Sequence, residues 1–335
     1  MLQARIHGPG DVRLDEVPEP TAGPGDVVLR VQSCGICGSD LGFIALGGLA
    51  GPMPEPMPIG HEVAGVVEQV GAGVEKLAVG DRVALDPRDP SGGVIGSGTR
   101  EGGFAPRLLV RSADHRRLHK LPDSMSFDLA ALAEPLGVGM NAVDKLRVEP
   151  HEKAVVFGAG PIGLAAVASL RDRGCEDIVS IDLSPHRLEL ASSLGARATL
   201  NAGEVDVWRE LRALHGETLF FGGRVAATDV FVEASGAPTV ITQVIGKARR
   251  GARLSIVALH RKPIEVNFLL VLMRELQITG AMEYPEDFGR GIDLLARRDL
   301  SPMITHRFPL ERFHEALDVA RDQSVAGKVM IEVAP

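Results

Sequence analysis

Residues 154–164 read Ala154-Val155-Val156-Phe157-Gly158-Ala159-Gly160-Pro161-Ile162-Gly163-Leu164. The apolar start predicts a short buried strand, and the glycines follow as Gly-x-Gly-x-x-Gly before a helical pattern. In such a turn, Gly158 permits the tight bend, Gly160 lets a pyrophosphate approach the backbone, and Gly163 lets the helix pack on the strand. The free N–H groups at the helix start, around Pro161 and Ile162, bind the phosphates. A merely glycine-rich turn is the alternative, but the flanking elements favour a dinucleotide-binding unit.

A carboxylate stands where that unit needs one. The next apolar strand, Ile178 to Ile181, ends in Asp182, about twenty residues past the glycines. A carboxylate here accepts hydrogen bonds from both ribose hydroxyls and repels a 2′-phosphate. Asp182 therefore favours NAD(H) over NADP(H), although His186 and Arg187 lie nearby.

The second half of the chain alternates between strand and helix patterns. After Asp182 we predict helices over 187–194 and 239–248, and strands over 230–233, 253–258 and 277–280. This alternation predicts an α/β fold with a doubly wound parallel sheet. The tail adds two helices, around Leu294 and Ala316, and a last strand over 329–333.

The first half reads as a compact β unit. Strands are predicted over 27–31, 64–70, 82–85 and 104–110, and a lobe over 86–103 has no predicted regular structure. A helical stretch over 128–146, which carries Glu134-Pro135, then leads towards the nucleotide-binding unit.

Composition narrows the functional class. Hydrophobic residues make up 45% of the chain and charged residues 24%, and the net charge of −8 argues against nucleic-acid or anionic-membrane partners. Three cysteines cannot form a disulfide framework and suit a reducing compartment. The first residues lack an apolar signal core, and no run approaches membrane-spanning length. We expect a cytoplasmic protein without a membrane partner.

Cys34-Gly35-Ile36-Cys37 is the first candidate for chemistry. A structural zinc site would need a second ligand pair, and Cys175 is the only other cysteine. A redox pair would lie beside a βαβ unit, whereas this motif lies in the β region. A ligand set with one cysteine remains possible, with His61, Glu62 and Glu134 as partners, although a lone histidine is more often structural.

The order of motifs identifies a family resemblance. Four motifs follow one another along the chain: Cys-Gly-Ile-Cys-Gly-Ser-Asp, Gly-His-Glu, Val-Gly-Asp-Arg-Val and the glycine turn. In these motifs and in their order, the chain resembles the zinc-dependent medium-chain alcohol and polyol dehydrogenases. The likeness covers essentially the whole chain and is nearest to the sorbitol and 2,3-butanediol dehydrogenase branch. It implies a GroES-like catalytic domain over 1–138, completed by 280–335, and a Rossmann NAD-binding domain over 139–279.

The resemblance also implies a metal centre. Cys37, His61 and Glu134 correspond to the catalytic zinc ligands, and Glu62 to an acid that binds the metal in some members. One thiolate and one carboxylate neutralise Zn²⁺, whereas a second carboxylate makes the site anionic. Our hypothesis is that Glu62 ligates the resting metal and yields to substrate or water. The lobe over 86–103 lacks the four cysteines of relatives with a structural zinc, so one zinc per subunit is expected.

Other roles follow from the same resemblance. Ser39 corresponds to the hydroxyl that takes the alcohol proton as hydride passes to the nicotinamide, which Ser235 and Val257 flank. The relay histidine that often follows is replaced by Gly42, and what replaces its function is left open.

The substrate side departs from sorbitol dehydrogenases, since Glu283-Tyr284 stands where they carry Arg-Tyr. An apolar pocket with Phe43, Phe104 and Tyr284 suits a small secondary alcohol or vicinal diol, oxidised to the ketone. Polyol or threonine dehydrogenases, a zinc-free reductase and a noncatalytic NAD-binding relative are the alternatives. The family suggests a homodimer or homotetramer joined through the Rossmann sheets. The apolar stretch 265–273 with strand 277–280 could serve, or could be buried within one subunit.

Overall fold

The computed structural model describes residues 1–90, 92–114, 116–322 and 324–333. The chain forms two compact units. Within the described residues, the first comprises Met1–Glu134, Asp287–Asp322 and 326–333, and the second comprises Pro135–Glu286 with 324–325. No helix within the described ranges is both long and apolar enough to cross a membrane.

The strands are β1 Leu2–Gly8, β2 Asp11–Glu16, β3 Val27–Gly35, β4 Met57–Pro58, β5 Glu62–Val70, β6 Arg82–Leu85, β7 Arg88–Asp89, β8 Gly93–Val94, β9 Arg107–Val110, β10 Leu118–Lys120, β11 Lys153–Phe157, β12 Asp177–Asp182, β13 Ala198–Asn201, β14 Glu217–Phe220, β15 Gly223–Ala226, β16 Val230–Glu233, β17 Arg253–Ile256, β18 Gln277–Gly280, β19 Ile304–Pro309 and β20 Lys328–Glu332. The helices are α1 Gly38–Leu46, α2 Phe127–Ala131, α3 Ala133–Leu146, α4 Pro161–Asp172, α5 Pro185–Ser193, α6 Val207–His215, α7 Pro238–Lys247, α8 Phe268–Arg274, α9 Gly289–Arg297 and α10 Phe313–Arg321, with 3₁₀ turns at Ser301–Met303 and Leu310–Arg312.

A mostly antiparallel sheet forms the centre of the first unit. Its main path is β10-β6-β5-β3-β20-β19, and β9 also pairs with β3. The β-branched, completely buried run at the start of β3 explains its central position, because such side chains pack well on a pleated surface. The register pairs Gly35 of β3 with Glu62 of β5, and Gly35 also pairs with Met330 of β20. This register brings the ends of β3, β5 and β20 together.

The second unit contains the parallel sheet that the sequence predicts. Its strand order is β13-β12-β11-β16-β17-β18, and the paired strands all run parallel. The residues of β16 are buried throughout, as expected for strands covered on both faces. The α/β fold class and the doubly wound sheet are therefore confirmed.

Four local predictions need correction. The helix predicted over 128–146 is two helices, α2 and α3, because the ring of Pro135 is incompatible with the carbonyl of Ala131 one turn earlier. The lobe over 86–103 contains the two-residue strands β7 and β8, and β9 begins at Arg107 instead of Phe104. The predicted all-β start also contains α1, whose first turn is capped by the Asp40 carboxylate on the Cys37 N–H.

Candidate metal centre and nucleotide-binding turn

Three ligand-type side chains meet where β3 and β5 pair. Cys37 lies two residues after the end of β3 and immediately before α1, while His61 immediately precedes β5 and Glu62 is its first residue. One potential ligand atom from each of these three residues lies within 4.8 Å of the others. The strand register therefore assembles a group that the sequence separates by more than twenty positions.

Glu134 approaches the same group from a helix. Its Oε1 lies 4.0 Å from His61 Nε2, and both side chains are almost fully buried. Glu134 occupies the first turn of α3. The positive end of the helix dipole stabilises a carboxylate at that position.

Asp40 lies on the other side of the His61 ring, at ion-pair distance. Asp40 is completely buried, its Oδ1 lies 3.6 Å from His61 Nδ1, and its Oδ2 accepts a hydrogen bond from the Cys37 N–H at 2.8 Å. Burial alone would lower the pKa of His61, but Asp40, Cys37 and Glu134 outweigh it and raise the pKa well above its usual value. The side chains around the imidazole thus create a site that attracts positive charge. Nδ1 faces Asp40, which leaves Nε2 for a metal.

Lys328 is an unforeseen member of this centre. Its ammonium donates a 2.6 Å hydrogen bond to Glu62 Oε1 and another of 3.1 Å to the Ile36 carbonyl. Burial would lower the pKa of Lys328, but Glu62 and Cys37 raise it above the usual value. The ammonium therefore stays charged beside Glu62. Its positive charge offsets the negative charge that a second carboxylate, Glu62, adds to the metal centre.

Glu62 keeps one oxygen without a partner. Its Oε2 is buried and has no hydrogen-bond partner among the described residues. A Cβ atom on Gly35 would lie only 2.0 Å from this oxygen, so a side chain there would displace the Glu62 carboxylate. Oε2 is therefore the oxygen of Glu62 that can serve as a ligand.

The residues fit a zinc ion on their own chemistry. A thiol, an imidazole nitrogen and carboxylate oxygens are the ligand types of zinc sites. An unpartnered buried carboxylate oxygen is costly unless a cation or donor reaches it. Cys37, His61 and either or both of Glu62 and Glu134 can supply the ligands.

Ser39, Phe43 and Phe104 are the other predicted site residues of the first unit, and they lie outside the group of ligand-type side chains. Ser39 is partly exposed in the first turn of α1, two residues after Cys37. Phe43 and Phe104 belong to the hydrophobic core, and Phe104 is completely buried against Phe313, with ring centroids 4.9 Å apart. A Cβ on Gly60 would meet the Phe104 ring at 2.8 Å. Phe104 therefore supports the loop that carries His61, and its placement does not resemble a pocket wall.

Cys34 is also a core residue. It is completely buried, and burial raises the pKa of its thiol well above the usual value. This environment keeps the thiol protonated and unreactive.

The glycine turn has the geometry expected for phosphate binding. Gly158 has φ of 92°, and a Cβ on Gly163 would lie 1.8 Å from the Gly158 carbonyl oxygen. Gly160 is the N-cap of α4, Pro161 begins the helix and Ile162 follows it. The Arg187 guanidinium lies 3.7 Å from where a Gly160 Cβ would stand. The turn thus presents the free N–H groups of a helix start beside a cation.

Asp182 lies at the end of β12 beside this turn. Its Oδ2 accepts the Ala159 N–H at 2.6 Å, and its Oδ1 accepts the Leu183 and Ser184 N–H groups at 2.7 and 2.9 Å. The carboxylate therefore also fixes the backbone around the glycine turn.

A buried carboxylate organises the other strand ends. Glu233 Oε1 accepts hydrogen bonds from the Ser235 N–H, the Ser235 hydroxyl and the Gly236 N–H at 2.6–2.8 Å. Its Oε2 pairs with His260 Nε2 at 2.8 Å, and Val257 lies just after β17.

Of the residues predicted on the substrate side, Tyr284 is buried beside Gly137, and Glu283 has φ of 60°.

Sequence reasoning missed Asp40, Lys328 and Glu233. Asp40 is the last residue of the motif Cys-Gly-Ile-Cys-Gly-Ser-Asp, so its position three residues after Cys37 could have indicated a role at the metal centre. No sequence signal marked Lys328 or Glu233. Lys328 begins an apolar strand and Glu233 ends one, and a charged residue at either position is typical of an exposed strand end.

A cavity of about 500 Å³ is lined by His119, Lys120 and Asp287, among others, and includes none of the ligand-type residues above.

Two family models match the chain. A model described as an alcohol dehydrogenase GroES-like domain matches residues 23–123, and a zinc-binding dehydrogenase model matches residues 161–297.

Individual relatives match along the whole chain. Sorbitol dehydrogenase of Rattus norvegicus is 33% identical, over 100% of this chain and 96% of its own length. The structure of 2R,3R-butanediol dehydrogenase from Bacillus subtilis has 30% identity and a TM-score of 0.87, with 99% of each chain covered. A short chain alcohol dehydrogenase from Escherichia coli CFT073, complexed with NADH, has 26% identity, a TM-score of 0.87 and the same coverage of both chains.

Proposed function

This chain belongs to the zinc-dependent medium-chain alcohol dehydrogenases, and we propose that it oxidises a small secondary alcohol or vicinal diol to the ketone with NAD⁺. The observation that carries the proposal is the buried group of Cys37, His61 and Glu62, with Glu134 beside His61. The chain also carries a glycine turn suited to a dinucleotide.

The residues of the first unit would divide the work at the metal. Zinc supplies Lewis acidity, which lowers the pKa of a hydroxyl group bound to it. Cys37, His61 and Glu134 would hold the ion, and Asp40 would fix the tautomer and direction of the His61 ring. Lys328 balances the charge of Glu62, so Glu62 can approach or leave without making the centre strongly anionic. We assign to Ser39, in the first turn of α1, the role of accepting the proton of the alcohol.

The second unit would bind the cofactor. The N–H groups at the start of α4 would bind the pyrophosphate, and Asp182 would accept the ribose hydroxyls and disfavour NADP(H). Ser235 and Val257 follow strands whose carboxyl ends border the cofactor crevice in such sheets. We assign the nicotinamide to that side.

The substrate proposal is narrower than the family. Sorbitol dehydrogenase and butanediol dehydrogenase are both among the relatives. Glu283 in place of the arginine of sorbitol dehydrogenases removes a cationic donor for a long polyol. Tyr284 is buried, and the carbonyls of Met282 and Glu283 are held by Asn141. We therefore favour a small diol or secondary alcohol.

The test pairs the two cysteines of one motif. The chain is assayed for NADH formation from NAD⁺ and racemic 2,3-butanediol, before and after chelation, and zinc content is measured. Cys37→Ser should lose zinc and turnover together, whereas Cys34→Ser, the matched control, should keep both. Chelator-insensitive turnover would contradict the metal assignment, and zinc-loaded protein inactive towards diols, polyols and secondary alcohols would contradict the dehydrogenase proposal.

We further propose a homodimer formed through the edge of the parallel sheet. Among the described residues, β18 pairs only with β17, so its other side presents unpaired backbone groups. Phe268, Leu269 and Leu272 of the preceding helix α8 are 74%, 62% and 72% exposed. These side chains are therefore not part of the core of one subunit, and a partner would bury them. Cytoplasmic localisation is proposed from the three free cysteines.

A further inference from the structure

The β14–β15 hairpin is an excursion from the parallel sheet. It lies between α6 and β16 in the chain. Its two ends meet where the Ala227 N–H donates a hydrogen bond of 2.9 Å to the Gly216 carbonyl. Its two strands pair only with each other among the described residues. The doubly wound sheet is complete without this hairpin, so its presence calls for another function.

The tip of the hairpin is apolar and strained. Phe221 and Gly222 have φ of 45° and 78°, as in a two-residue turn with both central residues in the left-handed region. Asn or Asp normally occupies the first of these positions, and a bulky side chain there costs free energy. Phe221 and Leu219 are nevertheless 79% and 73% exposed. The chain thus holds two large apolar groups in solvent at an energetic cost.

Contacts with α8 fix where the tip lies. The Arg274 guanidinium sits 4.0 Å from the centre of the Phe220 ring. Arg274 is the last residue of α8, and it also donates to the carbonyls of Gly246 and Ala248 at the end of α7. The hairpin therefore reaches past the end of α7 to the C-terminal end of α8, the helix that leads into the edge strand β18.

We propose that this hairpin is a dimerisation arm whose tip packs on α8 of a second copy of the chain. The inference rests on the homodimer proposed above. Two β18 strands can pair with each other antiparallel about a two-fold axis, because each offers the same unpaired edge. A crossover helix runs opposite to its strands. The C-terminal end of α8 in one copy therefore faces the N-terminal end of α8 in the other.

That arrangement gives the tip a specific apolar partner. Leu219 and Phe221 of one copy lie next to the N-terminal end of the partner's α8, where Phe268 and Leu269 are exposed. Symmetry repeats the contact on the other side, so each copy both gives and receives an arm.

The exposed apolar surface is large enough for this role. The relevant side chains span the hairpin tip, α8 and the region around β18: Leu219, Phe221, Phe268, Leu269, Leu272, Ile278 and Met282. Together they offer on the order of 800 Å², comparable with the roughly 800 Å² that each partner buries in a standard interface.

The first experiment measures the dimer dissociation constant by sedimentation equilibrium. Removal of residues 217–226 joins Gly216 to Ala227, which already meet. This deletion, and separately Leu219→Ser with Phe221→Ser, should raise the constant about tenfold or more, because a few buried anchor side chains carry most of the binding energy of an interface. Val79→Ser removes a similarly exposed apolar side chain from the first unit and should leave the dissociation constant unchanged. Circular dichroism and NAD⁺ binding confirm that each variant is folded.

A second experiment tests the symmetry of the contact. Copies with Phe221→Cys are mixed with copies with Phe268→Cys under oxidation, and peptide mass spectrometry should find the mixed disulfide. Copies with Val79→Cys should not form one with Phe221→Cys. A wild-type dimer whose dissociation constant is unchanged by both hairpin variants would overturn the arm and leave the dimer standing. A wild-type chain that stays monomeric would overturn the homodimer and the arm, and would not affect the proposed chemistry.

Discussion

Substitution of Lys328 by Met tests how the candidate metal centre balances its charge. The Lys328 ammonium lies 2.6 Å from Glu62 Oε1, and the two side chains are only 2% and 0% exposed. At an effective dielectric constant near 20, their attraction is about 6 kcal/mol before desolvation is subtracted. Removing one partner leaves Glu62 buried with no compensating ammonium, which costs about 3–5 kcal/mol. We expect a loss of that size in the free energy of unfolding of the metal-free protein.

Zinc should reduce the loss, because the cation replaces the missing positive charge beside Glu62. Glu62→Gln combined with Lys328→Met should recover most of the stability, giving a coupling energy of about 2 kcal/mol or more. Lys328→Arg is the control that keeps the charge.

The two units allow separate measurement. Hydrogen exchange of peptides from β3, β5 and β20 reports on the first unit, and fluorescence of Trp208, the only tryptophan, reports on the second. A Lys328→Met variant as stable as the wild type without zinc, or single losses that simply add in the double variant, would refute the proposed charge balance.

Three further predictions concern other residues. Asp40→Asn should weaken zinc binding about 10–100-fold, measured by competition with a chelator, because the His61 ring loses its carboxylate partner; wild-type affinity would contradict that role. Asp182→Ala should lower the ratio of kcat/KM for NAD⁺ over NADP⁺ at least tenfold, and an unchanged ratio would move the discrimination to another residue. Burial lowers the pKa of His215 to about 4, against the opposing effect of Asp177, whereas the unfolded chain titrates near 6.5. The unfolded state therefore binds more protons between these values, so stability should fall as pH falls, by about 2 kcal/mol from pH 7 to pH 5 in urea unfolding. His215→Gln should flatten this dependence.

Local patterns predicted most of the second unit. The strands over 230–233 and 277–280 were predicted with their exact bounds, and the doubly wound sheet and the family are confirmed. These patterns are strong because a strand buried on both faces must be apolar throughout, and a phosphate-binding turn needs glycine at fixed spacing. The break between α2 and α3 could also have been predicted from the sequence, because the ring of a proline within a helix clashes with the carbonyl four residues earlier.

By itself, the sequence determined which residues could serve as metal ligands and where a glycine turn suited to a nucleotide lies, because both depend on residue identity at short spacing. Only the tertiary structure decided which distant groups meet. Lys328 reaches Glu62 from 266 positions away, through the pairing of β20 with β3, and no local pattern records that contact. The same holds for Phe104, whose apolar side chain suited either a pocket or the core until packing placed it under Gly60. It holds also for α8, because an apolar helix buries or exposes its side chains according to what the rest of the fold leaves uncovered.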